Sequence, residues 1–256
     1  LRRASALAGG GLVVALAVAG CGGERRAESG GGEASSTAAA GPRGDGVISG
    51  VVRFTGAAPV NPPIAMAEEP KCRAKYGTEP RDPQVVVANG RLANVFVYVK
   101  EGPPVGAGYD APSTPVTIDQ DGCLYHPRVS GVMVNQPIAI TNSDSLLHNI
   151  KAVPRANRPF NISQPAAGMA TTRTFGTPEV MVPLECNVHG WMHAYVGVLP
   201  HPFFAVSGAD GSFSITGLPP GTYTLEAWHE KFGTLTATAT VTGAAPQTAD
   251  FTFAAN

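Results

Sequence analysis

Short runs of β-branched and aromatic residues, each cut off by Gly, Pro, Asn or Asp, recur along this chain from about residue 46 to its end. Val47-Ile-Ser-Gly-Val-Val-Arg-Phe54 stops at Thr-Gly-Ala-Ala-Pro, and Ala93-Asn-Val-Phe-Val-Tyr-Val99 runs into a Gly/Pro stretch over 102–115. Phe203–Val206 and Ser212–Ile215 flank Ala209-Asp-Gly211, a hairpin signal. Side chains of this kind suit a pleated surface, and the interrupting residues supply turn conformations. The 31 Gly and 23 Pro leave no room for long helical stripes. About fourteen strand-like segments are too many for one small sandwich. The chain is therefore expected to be all-β, in two sandwich domains.

Residues 1–21 read as a targeting segment. Arg2 and Arg3 precede the apolar run Leu12–Val18, and Val18-Ala-Gly-Cys21 has the form of a lipobox. The run is too short to span a bilayer. Cys21 would carry the lipid of an exported, membrane-anchored lipoprotein facing the periplasm or the cell exterior. Residues 22–45, rich in Gly, Ser and Ala, are a flexible tether with an end-to-end distance of roughly 25–30 Å.

The chemistry concentrates in Glu185-Cys-Asn-Val-His-Gly-Trp-Met-His193. The thiolate of Cys186, the imidazole of His189 and the thioether of Met192 are spaced to converge on one soft metal ion. A second imidazole is available in Ser145-Leu-Leu-His-Asn149, at His148. Two His and one Cys with a weak Met ligand make a mononuclear electron-transfer copper site. Cu(I) prefers sulfur and Cu(II) prefers nitrogen, so a mixed set serves both states with little rearrangement. His193 is the alternative axial ligand. Of the four cysteines, Cys21 is assigned to the lipid and Cys186 to the metal, which leaves Cys72 and Cys123. Parity in an oxidising compartment suggests that they pair; two free thiols or a second metal site are the alternatives.

Residues 132–198 resemble the cupredoxins, and the amicyanins most closely. The resemblance rests on the Asn-x-Asp stretch 142–144, on His148-Asn149, on the strand 179–182 and on the short step from Cys186 to Met192. It implies His148, Cys186 and His189 as equatorial ligands, Met192 as axial ligand, and Asn149 as the residue that ties the ligand loops together. It also implies that His189 is the solvent-edge ligand and the electron port. Trp191 and Pro200–Phe204 are expected to form an apolar rim for a redox partner. The ends of the chain resemble the carboxypeptidase regulatory-like, or transthyretin-like, β-sandwich. That resemblance lies in Asp210-Gly-Ser-Phe-Ser-Ile-Thr-Gly-Leu-Pro-Pro-Gly-Thr-Tyr-Thr-Leu225 and in the opening strands 46–54 and 93–99. Together the two imply a Greek-key cupredoxin sandwich over 111–200, inserted in or packed on a sandwich made of 46–110 and 201–256. The combination is similar to that of exported plastocyanin-like or methylamine-utilisation proteins.

A net charge of −1 gives no bulk attraction for nucleic acid. No nucleophile–base set, His-Glu-x-x-His or phosphate loop is present, so no enzyme activity is expected. The expected function is a type-1 copper protein carrying single electrons between exported partners such as a c-type cytochrome or a dehydrogenase. A copper-delivery lipoprotein and a metal-free binding module are the alternatives. Of the other histidines, His126 is expected at the surface and His201 at the joint between domains. Trp228-His229-Glu230 is read as an amphipathic strand end.

Overall fold

The computed structural model describes residues 41–103 and 105–255. Cys21, the signal segment and most of the proposed tether lie outside the described residues. Among these there are nineteen strands and one short helix, so the chain is all-β as expected. Residues 41–255 belong to one unit with two large cores and a third, smaller buried cluster of Phe96, Tyr98, Val129, Met181 and Leu199.

The first sandwich faces two sheets together. One has Gly46–Thr55 at its centre, antiparallel to Ser212–Leu218 and parallel to Gln247–Thr248 and Phe251–Ala254. The other runs Phe204–Val206, Phe96–Glu101, Gly221–His229, Gly233–Val241. Alternating residues Phe213, Ile215, Tyr223, Leu225, Phe251 and Phe253 fill the space between them. The second sandwich pairs the sheet Phe160–Gln164, His148–Ala152, Glu179–Glu185, His193–Leu199, Val129–Met133 with the sheet Met169–Arg173, Ile138–Asn142, Val116–Asp121, Leu124–His126. Its core includes Ile118, Ile140, Ile150, Val182, Leu184 and Val196. Phe160–Gln164 is an outer strand in which half-buried Phe160 and Ile162 alternate with exposed Asn161 and Ser163 before the buried Gln164.

Segment 61–83 corrects the expected division of the chain. It was placed with the first sandwich, as part of 46–110, yet Ile64, Met66 and Cys72 are buried in the core of the second. The reason is a closed neck followed by a far anchor. The Asn61 side chain donates to Val85 O (2.7 Å) and accepts from Val85 N–H (3.1 Å), while Ile64 N–H donates to Pro80 O (2.8 Å). The chain thus leaves the first sandwich and returns to it at one point. Between these ends it reaches across and is joined to the second sandwich by a disulfide from Cys72 to Cys123.

The sandwiches meet where two glycines remove side chains. Gly131 and Gly197 are partners in the parallel pair Val129–Met133/His193–Leu199, and the rings of Phe96 and Phe204 lie on them. A Cβ at Gly131 would sit 2.5 Å from the Phe204 ring, so the close approach requires Gly there. Beside this contact Arg128 bridges Asp82 (Nη1–Oδ1 2.7 Å) and Glu230 (Nη2–Oε2 2.8 Å), a buried ion triad that also fixes the end of segment 61–83. Arg128→Ala would leave Glu230 buried without its cation, and is expected to cost about 3 kcal/mol in urea unfolding.

His229 is buried against Phe232 (ring centroids 4.8 Å). Burial, with the nearby charges of Arg128 and Lys231, pushes its pKa down from 6.5 to about 4. Between those values the unfolded chain binds the extra proton, so His229 lowers stability as pH falls from 6.5 to about 4. The full loss is about 3 kcal/mol. His229→Phe keeps the ring packing, and urea midpoints measured across this window should become flatter.

Candidate metal centre

The turn from Cys186 to Met192 joins the antiparallel strands Glu179–Glu185 and His193–Leu199. Two backbone hydrogen bonds close it: Met192 N–H to His189 O (2.9 Å) and Cys186 N–H to Met192 O (3.3 Å). Cys186 and His189 are thereby held on one side of a tight loop, and His189 N–H donates to Cys186 Sγ (3.3 Å). His148 opens the strand His148–Ala152, which pairs with Glu179–Glu185. One donor atom from each of His148, Cys186 and His189 lies within 4.8 Å of the others, and all three residues are buried.

The ring orientations show where these donors aim. His148 Nε2 lies 2.8 Å from Asp144 Oδ2, so the carboxylate takes the N–H and leaves Nδ1 with its lone pair. That Nδ1 lies 2.9 Å from His189 Nδ1, which in turn is 4.0 Å from Cys186 Sγ. His189 Nε2 points the other way. It has no hydrogen-bond partner among the described residues, and Glu69 Oε1 is 3.6 Å off. The two Nδ1 atoms thus face one another in a buried space beside a sulfur, where either a hydrogen bond from one ring to the other or a cation between them satisfies both. A soft cation fits the donor set: two imidazoles, a thiol and the wholly buried Met192.

Charge at the site favours the same outcome. Burial works to raise the Cys186 thiol, but hydrogen bonds with His189, Asn149 and Val188 outweigh it and hold its pKa below the ordinary value. Burial likewise opposes ionisation of Asp144, and is overcome by hydrogen bonds from Lys75, Cys123 N–H, His148 and Gly122 N–H. Asn149 ties the strand to the turn, its Oδ1 accepting from Asn187 N–H (2.8 Å) and Cys186 (3.4 Å).

The structure brings His148, Cys186 and His189 together, bonds Asn149 to Cys186, and sets Cys72 and Cys123, as a disulfide, against His189, while Met192 lies buried at the end of the same turn. It differs from expectation at the edge of the site. His189 is 1% exposed and is not a solvent-edge residue. Glu69, the disulfide and Trp191, whose indole N–H donates to Cys123 O (3.0 Å), lie around it. Pro200–Phe204 does not rim the centre either: it follows the far end of strand His193–Leu199, with Phe203 in the core of the first sandwich. His193 is half-buried and paired in the strand opposite Glu185. His126 is exposed, and His201 is buried with Nε2 3.0 Å from Val99 O, in the first sandwich. Sequence reasoning gave no role to Asp144, Lys75 or Glu69. Asp144 carried a signal, an acidic residue four positions before a histidine; Glu69 carried none.

The family model for the carboxypeptidase regulatory-like domain matches residues 194–254. This covers the C-terminal half of the first sandwich and begins within the last strand of the second. A comparison with curated proteins finds no match. Among solved structures, a mutant amicyanin in its Cu(I) form is 19% identical over 33% of this chain and 81% of its own, with a TM-score of 0.30. A purple cupredoxin from Nitrosopumilus maritimus is 21% identical over 32% of this chain and 98% of its own (TM-score 0.29). A copper-containing nitrite reductase from Thermus scotoductus is 17% identical over 59% of this chain and 28% of its own (TM-score 0.32). These likenesses are weak, and the case for a metal rests on the side chains.

Asp144 fixes the tautomer and direction of His148, so Asp144→Asn should weaken binding of Cu(I) or of a Co(II) probe by about 10–100-fold. A competitive titration against a chelator measures this, and an unchanged affinity would remove Asp144 from the site.

Proposed function

We propose that this chain is an exported copper protein that carries single electrons, held at a membrane by lipid on Cys21. The observation that carries the reading is the convergence of His148 Nδ1, His189 Nδ1 and Cys186 Sγ on one buried point. His148, Cys186 and His189 would hold the ion, with Met192 as a weak fourth ligand. Bound copper would supply a one-electron couple, Cu(I)/Cu(II).

The chain's own residues do the rest. Asp144 and Asn149 hold the ligands in place before the ion arrives, so little has to move between oxidation states. Burial of all three donors keeps water from completing a larger coordination shell. A closed centre of this kind also favours retention, which supports a carrier over a protein that hands copper on. No residue is assigned to bond-making chemistry, and the proposed partners are exported redox proteins such as a c-type cytochrome or a dehydrogenase. The regulatory-like sandwich is proposed as the scaffold from which segment 61–83 reaches the centre.

Visible absorption of the copper-loaded chain tests the reading. An intense thiolate-to-copper band should appear with Cu(II), bleach on reduction and return on oxidation. Cys186→Ser should abolish it; a band that survives this substitution would rule out Cys186 as ligand.

A further inference from the structure

We propose that the Cys72–Cys123 disulfide is a redox latch on a strap over the metal centre, and that an external dithiol opens the strap for metal entry and exit. The nature of the cargo rests on the copper reading; the motion does not.

The strap is the tip of segment 61–83. Its neck stays closed through Asn61 and Val85, and Ile64 and Met66 are anchored in the core. Beyond those anchors only Cys72 is buried in the core, with Tyr76 packed against it. The helix Pro70–Arg73 is four residues long and has no independent stability. Lys71 Nζ donates to Ser145 O (3.1 Å) and Lys75 pairs with Asp121, both weak ties at the surface, whereas the pair of Lys75 with the wholly buried Asp144 is the firmest of the non-covalent holds. Tyr76 adds one hydrogen bond to Gly122 O (2.6 Å). The covalent link adds the one restraint that a reductant can remove, and it closes a loop with a sequence separation of 51.

The latch sits on the site itself. A sulfur from each of Cys72 and Cys123 lies within 4.8 Å of a His189 ring nitrogen, and all three residues are buried. Glu69, three positions before Cys72, faces the otherwise unpartnered His189 Nε2 at 3.6 Å. The residues that hide His189 are thus carried by the strap, by its disulfide and by Trp191, which is bonded to Cys123 O. Reduction breaks one S–S bond. Two electrons come from the dithiol, which becomes a disulfide, and its two protons end on Cys72 and Cys123. Residues 67–79 then keep only non-covalent holds, the Lys75–Asp144 pair and the packing of Cys72 and Tyr76, and swing from the anchors at Ile64 and Met66 when these open together.

Two measurements on the full-length chain test this. The first is hydrogen exchange and diethylpyrocarbonate labelling of the metal-free protein, with the disulfide intact and after dithiothreitol. Amides of 67–79 should exchange at least about tenfold faster after reduction, and His189 should become labelled, while strand amides hold their protection. Unchanged exchange at 67–79 overturns the latch, and so does a rise spread equally over both sandwiches, which would make the disulfide a general staple. The second is transfer of Cu(I) to bicinchoninate from the Cys72→Ser/Cys123→Ser variant, expected at least about tenfold faster than from the native chain. Equal transfer rates overturn the gating role. If the variant does not fold, exchange in the reduced native chain still decides. A chain that opens on reduction but binds no copper upholds the latch and overturns the copper reading.

Discussion

Asp144 is wholly buried, and it keeps its charge because four groups turn toward it. A buried carboxylate is costly unless its oxygens are satisfied, so each partner is held where it stands. One partner is the His148 ring, whose Nδ1 must face inward as a result. Two are the backbone N–H groups of Gly122 and Cys123, which place the disulfide beside His189. The fourth is Lys75 on the strap. Ligand strand, disulfide and cover are therefore set against one another through one carboxylate.

The two sandwiches play unequal parts. The second supplies every proposed ligand, from a tight turn and the adjoining strand. The first supplies the base from which the cover departs and to which it returns. Their contact is rigid in kind: rings of Phe96 and Phe204 on Gly131 and Gly197, with the Arg128 triad beside them. A strap rooted in that contact can reach across to the metal centre and still be anchored at both ends.

The strand-and-turn pattern was legible because period-two apolar residues and turn formers act over a few positions, as in Ser212–Leu218. Cys186, His189 and Met192 were legible because one short turn holds all three. His148 was legible through its Asn149 neighbour and a family resemblance. What escaped depends on contacts distant in sequence. Ile64 and Met66 sit in a Pro-rich polar stretch that reads as loop, and their burial is decided by a sandwich formed much later in the chain. His189 looked exposed for the same reason, since nothing near it in sequence announces Glu69 or the disulfide above it.

The central claim is that Cys186, His148 and His189 hold one ion inside this cover. X-ray absorption at the copper edge of the loaded chain tests it most directly, by reporting the atoms bound to the metal. One short sulfur and two imidazole nitrogens are expected around the metal. Copper bound by nitrogen and oxygen alone would contradict this ligand set.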